Sequence, residues 1–148
     1  MAMAATFRFS GYRVLLGGGE TPTETFTAPC GFTERSLSFN RELAETNVPS
    51  CDDEDAPSWL ERDVTSMSAT ISGQGVLEAT ALPIWIAKLN STESFNARVE
   101  LWREGAKVGT WAGAFQLESF ETSGTKGERV TVNVTMQSDG VVTYASGP

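Results

Sequence analysis

Strict alternation of apolar and polar residues constrains this chain more than any other feature. In "RVTVNVTM", Val130, Val132, Val134 and Met136 alternate with Thr131, Asn133 and Thr135. "FNARVELW" sets Phe95, Ala97, Val99 and Leu101 against Asn96, Arg98 and Glu100, and "SMSATIS" sets Met67, Ala69 and Ile71 against Ser66, Ser68, Thr70 and Ser72. Side chains in an extended chain point to opposite faces at successive residues, so this period predicts strands with one face buried.

Shorter runs of the same kind are "YRVLLGG", "ETFTAP", "SLSFNREL", "KVGTWAGAFQLESF" and "GVVTYAS", with hairpin turns predicted at "EGAK" and "QSDGV". Gly113 inside its strand predicts a bulge or a close backbone approach. One segment departs from the pattern. "EATALPIWIAKLNS" spaces Leu82, Trp85, Ile86 and Leu89 as a helix would, with Thr80 placed to cap it and Pro83 in the first turn. The expectation is a mainly β, antiparallel sandwich or barrel-like domain. It carries one flanking helix over about residues 80–90, its apolar stripe on the sheet, and a long early loop over about residues 44–63. A chain of 148 residues is expected to form one domain, 1–148.

Charge excludes some partners. With 11 Lys and Arg against 19 Asp and Glu, the net charge is −8, which leaves little to neutralise phosphates and argues against specific nucleic-acid binding. No apolar run reaches the roughly 20 residues of a membrane span, and the N-terminus lacks a secretory pattern, so a cytosolic origin is expected. Cys30 and Cys51 are expected to be thiols in that compartment.

Catalytic chemistry has little to work with. Histidine is absent, which removes the commonest general base, the commonest metal ligand and the His-activated nucleophiles. Gly17 to Gly19 lacks the Lys and Ser/Thr of a phosphate loop and reads as a connection. No cofactor is implied. The acids Asp52, Asp53, Glu54 and Asp55 lack the ligand spacing and glycine of a calcium loop.

The segment "NVPSCDDEDAPSWLERDV" is the least β-like part of the chain. It puts Asp52, Asp53, Glu54, Asp55, Glu61 and Asp63 against Arg62 alone, and Pro49 and Pro57 bracket the acidic run ahead of Trp59. Trp85 and Trp111 fit buried faces, whereas Trp102 falls on the polar parity of its strand. Trp59 is either an anchor for a partner or a lid over its own core.

From about Gly31 to Tyr144 the chain resembles the tail tube (major tail) proteins of long-tailed bacteriophages, the group that includes the TP901-1-type major tail protein. "VPSCDDEDAPSWLERDV", "SATISGQGVLE" and "VTVNVTMQSDGVVTY" carry most of that resemblance. It implies a structural, non-enzymatic subunit of the virion tail, assembled in the host cytoplasm. Its partners would be further copies of itself in stacked hexameric rings, a tape-measure protein in the lumen, and terminator and baseplate proteins at the ends, with DNA only in passage.

By the same resemblance the early loop reaches neighbouring subunits. Asn47, Pro49, Asp52, Asp53, Glu54, Asp55, Pro57, Trp59, Glu61, Arg62 and Asp63 are then the candidate inter-subunit residues, with Trp59 as anchor and the carboxylates facing a neighbour's Arg or Lys. The prolines would reduce the entropy lost on docking. Two other readings stand beside this one: a tail terminator or baseplate component on the same fold, and a calcium-dependent carbohydrate-binding β-sandwich using Trp59 or Trp102 as a sugar platform.

Overall fold

A computed structural model describes residues 3–19 and 23–147. After a single 3₁₀ turn, Phe9–Gly11, the chain forms β1 (Tyr12–Gly17), β2 (Phe26–Thr27), β3 (Phe32–Val48), β4 (Trp59–Val76), α1 (Leu82–Asn90), β5 (Phe95–Arg103), β6 (Ala106–Ser123) and β7 (Thr131–Ser146). The strands make one antiparallel sheet of seven in the order β2-β1-β5-β6-β7-β4-β3. The mainly β, antiparallel expectation with one helix holds. The sheet is not closed into a barrel, because no backbone ladder joins β1 to β3. Side chains span that seam instead: Arg35 Nη1 of β3 donates to the Tyr12 carbonyl of β1 at 2.6 Å.

The concave face holds the core, where Leu16, Ile71, Val99, Phe115, Val134 and Met136 are each about 1% exposed. The alternation that predicted the strands also selects these residues: Val132, Val134 and Met136 turn inward from β7, and Phe95, Ala97 and Val99 from β5. Trp85 of α1, 1% exposed, plugs the open side and meets the rings of Phe32 and Phe120. Trp111 packs against the same core from β6, as expected.

Several local expectations change. The inward side of α1 is Ile84, Trp85 and Lys88, with Ala81 just ahead of it, and Lys88 Nζ donates to the Gly17 carbonyl at 2.7 Å. Leu82, Ile86 and Leu89 are 36%, 40% and 48% exposed, so most of the expected stripe faces outward. The bulky indole takes the one deep position, and nine residues give room for only one seated face. Ala81, rather than Thr80, is the N-cap, and the free N–H of Ala81 is satisfied by Glu78 Oε2 at 3.0 Å.

"EGAK" does turn, with Glu104 and Gly105 both at positive φ (53° and 79°), as a two-residue type I′ hairpin requires. "QSDGV" does not turn: β7 runs through it, and Gly140 at φ 103° lies where β7 leaves β4 and continues along β6. Gly113 marks a register shift between β6 and β7, where an added Cβ would lie 2.8 Å from the Val141 carbonyl.

Candidate assembly surface

The expected early loop is largely strand. β3 and β4 pair from Phe32↔Gly75 to Val48↔Trp59, with register shifts after Phe32 and after Glu42, so Ala44 to Val48 and Trp59 to Asp63 extend a hairpin and only residues 49–58 form its tip. Cross-strand pairing overrides the missing alternation. With neither face buried, this arm has no reason to alternate apolar and polar residues.

β4 meets β7 only from Thr70 onward, and beyond that point the arm leaves the body of the domain. Every residue from Ser38 to Ser68 is exposed except Ala56, which is partly covered. Phe39, Leu43, Val48, Leu60, Val64 and Met67 stand 40% to 69% exposed along it, and Trp59 is 84% exposed. Trp59 therefore does not fold back over the core. Met67 departs from its expected inward role because the concave face ends before it.

The tip is nonetheless ordered by local bonds. Ser50 Oγ accepts from the Asp52 and Asp53 amides at 3.2 and 3.3 Å, and Asp53 Oδ1 accepts from Asp55 at 3.2 Å. The Ala56 amide donates to the Asp53 carbonyl at 3.2 Å. Such short turns built on Ser and Asp side chains shape a loop without a core. Pro49 and Pro57 flank the acidic run, so Asp52, Asp53, Glu54 and Asp55 are displayed together at the far end of the arm.

Of the remaining candidates, Asn47, Glu61, Arg62 and Asp63 lie on the paired strands. Arg62 bridges to Glu45, its register partner, at 3.2 Å between side chains about half exposed, a contact that holds the hairpin's register more than it adds stability. Among the described residues no three acidic or cysteine side chains converge as metal ligands, and Cys30 and Cys51 are exposed free thiols. The indoles of the sugar-platform reading are far from alike: Trp102 is half-buried beneath the Arg13 guanidinium, 4.6 Å from its ring centre, and Trp59 stands on the arm.

Two features had no signal in local sequence. One is the free edge of β3, whose outer row of backbone groups runs the length of the arm with no neighbouring strand among the described residues. The other is a cleft of about 370 Å³ between the 3₁₀ turn and the β5–β6 turn, whose lining includes Arg8, Arg13, Trp102, Arg103 and Glu104. Residues distant in sequence build it, so no window of the chain displays it.

The 31 residues from Ser38 to Ser68 are almost all exposed and add little to the core, Phe39 against Trp111 being a contact at the arm's root, and an unpaired strand edge is a template for another chain. The geometry is that of an assembling building block. Solved structures share the fold. The fold is similar to a subunit from the tail of an empty gene transfer agent particle refined with C6 symmetry (TM-score 0.70, 20% identity, 95% of this chain and 100% of that one). It is similar to the SPP1 tail tube (TM-score 0.64, 13% identity, 97% and 80%) and to a chain of the PVC extracellular contractile injection system sheath-tube complex (TM-score 0.61, 16% identity, 95% and 92%). Comparison with curated protein sequences finds no match. Residues 11–144 match the phage tail tube protein family, and the chain belongs to it.

Proposed function

We propose that this chain, as one domain, is the subunit of a phage tail tube: it self-associates into hexameric rings that stack into a hollow conduit for the genome. The single observation that carries this reading is the β3–β4 arm, exposed on both faces from Ser38 to Ser68 and, among the described residues, unpaired along the outer edge of β3. An isolated two-stranded ribbon is marginal in water, so a partner surface is what would stabilise it. The family match and the C6 tail of the gene transfer agent particle support the ring.

In this reading Asn47, Pro49, Asp52, Asp53, Glu54, Asp55, Pro57, Trp59, Glu61, Arg62 and Asp63 form the inter-subunit surface, with the prolines limiting the tip and Trp59 as anchor. The role is structural rather than catalytic. A tape-measure protein occupies the lumen, and terminator and baseplate proteins close the ends, as similar folds in a tube-terminating cap and a baseplate of the anti-feeding prophage suggest. Placement in the TP901-1-type group rests on the quoted sequence resemblance.

Negative-stain microscopy of the concentrated protein tests the reading. Hollow tubes of uniform width are expected. Monodisperse monomer at every concentration, even with a tail-tip extract added to nucleate growth, would refute it.

A further inference from the structure

The arginine cleft and the acidic tip are complementary in charge, and one chain cannot bring them together. Arg35 joins the two regions at the root of the arm, since its guanidinium lies 4.5 Å from the ring centre of Phe9, in the 3₁₀ turn that borders the cleft. From Arg35 the strand runs on to Val48, which at roughly 3.4 Å per residue carries the tip about 40 Å away. The tip therefore cannot fill the cleft beside its own root.

The cleft carries an excess of positive charge. Among the described residues, Arg8 and Arg13 have no carboxylate within ion-pair distance, and Arg103 touches only the exposed Glu104, at 3.6 Å. Arg13 is held in place: its Nε donates to the Ser10 carbonyl at 3.3 Å, and its plane covers Trp102. Trp102 is itself fixed by donating from Nε1 to Glu100 at 3.0 Å, and Glu100 is buried. A guanidinium carries five N–H donors in a rigid fork matched to carboxylates, so Arg13 keeps most of its donors free in a fixed orientation. On a chain of net charge −8, three of the 11 basic residues gather at one cleft against a single lining acid, Glu104, and leave it net positive.

Resting on the tail-tube reading above, we propose that this cleft receives the acidic tip, Asp52, Asp53, Glu54 and Asp55, of the arm of a second copy of the chain. The contact is heterologous: each copy offers a tip to one neighbour and a cleft to another, so it propagates along an assembly instead of stopping at a dimer. Charge then sets partner choice and register, because a tip laid on any other part of this acidic surface meets like charge.

A charge-swap cycle on the full chain tests the contact. Arg8→Glu with Arg103→Glu reverses the cleft and leaves Arg13 on Trp102; Asp52→Lys, Asp53→Lys and Asp55→Lys reverse the tip. Each set alone is expected to raise the critical concentration for tubes about tenfold or more, as close ion pairs at interfaces do, and the two together to restore most of it. Circular dichroism checks that every variant folds. A cleft reversal without effect, or a combined variant no better than either parent, overturns the proposal.

Cross-linking decides independently of tube yield. In a Cys30→Ser background the native Cys51 marks the tip, and Thr6→Cys marks the cleft; a short bismaleimide should give a ladder of covalent oligomers. Lys126→Cys, at the opposite end of the strands, should give none. No ladder from Thr6→Cys, or an equal ladder from Lys126→Cys, overturns the proposal. Microscopy of the same samples separates the two failures: normal tubes without the ladder remove this docking alone, whereas no tubes from the unmodified chain remove the tail-tube reading.

Discussion

Arg35 on the edge strand β3 and Tyr12 on β1 meet across a seam that no backbone ladder bridges. The guanidinium donates to the Tyr12 carbonyl at 2.6 Å, and the Tyr12 ring lies against the Leu37 backbone of β3. Hydrogen bonds to a charged donor contribute roughly 1.5–3 kcal/mol. Arg35→Ala should thus lower unfolding free energy by about 1–2 kcal/mol, allowing for partial solvent access. Arg35→Lys should recover part of that. Denaturant melts with unchanged m-values would show it, and an Arg35→Ala protein as stable as the parent would mean the seam is held by packing alone.

Tyr12 supplies a pH dependence. Burial raises its phenol pKa above the ordinary 10.0, while the Leu37 backbone hydrogen bond acts more weakly in the opposite direction. The folded chain then keeps its proton over a range where the unfolded chain has released it. The resulting stability is full below pH 10.0 and falls as pH rises through the folded value. Tyr12→Phe has no proton to lose, so its melting temperature should fall less steeply on the alkaline side. Parallel slopes for both proteins would rule this out.

Trp85 is the plug of the core. At 1% exposure and in contact with Phe32 and Phe120, its truncation leaves a void that a continuous sheet cannot collapse into. Trp85→Ala is expected to cost about 3–5 kcal/mol, and Trp85→Phe clearly less. Calorimetry on the two variants distinguishes loss of volume from loss of the indole.

Gly11 is buried where the 3₁₀ turn crosses β5, and an added Cβ would run into the Trp102 carbonyl. Backbone atoms cannot step aside as a flexible side chain can. Gly11→Ala should destabilise by about 1–3 kcal/mol and displace the floor of the arginine cleft. A melting temperature equal to the parent's would show that the turn moves freely.

The arm should separate folding from assembly. Replacing residues 44–63 by an Asn-Gly turn closes the hairpin at Leu43 and Val64, a register pair, and removes no buried residue. The melting temperature should hold while tubes disappear. Trp59→Ala, on a side chain 84% exposed, should leave stability within about 0.5 kcal/mol and still weaken tube formation, as loss of an interface anchor does. Unfolding of the shortened chain, or tubes at normal yield, would each contradict the assigned role.

Alternation by itself determined the strands of the body and most of their inward residues, because a half-buried strand has to write its two faces into every second position. The helix was legible from its spacing, and the acidic, proline-bracketed run already stood out as the least β-like segment, with Trp59 open between anchor and lid. Tertiary structure alone decided the rest. It turned the early loop into paired strands, because pairing needs only a partner backbone, which leaves no pattern in side chains when neither face is covered. It chose which side of α1 is buried, because only one side can seat Trp85. It placed Arg35 across the seam and gathered Arg8, Arg13 and Arg103 around one cleft: their neighbours are set by the curl of the sheet, and residues brought together from separate strands share no local signal.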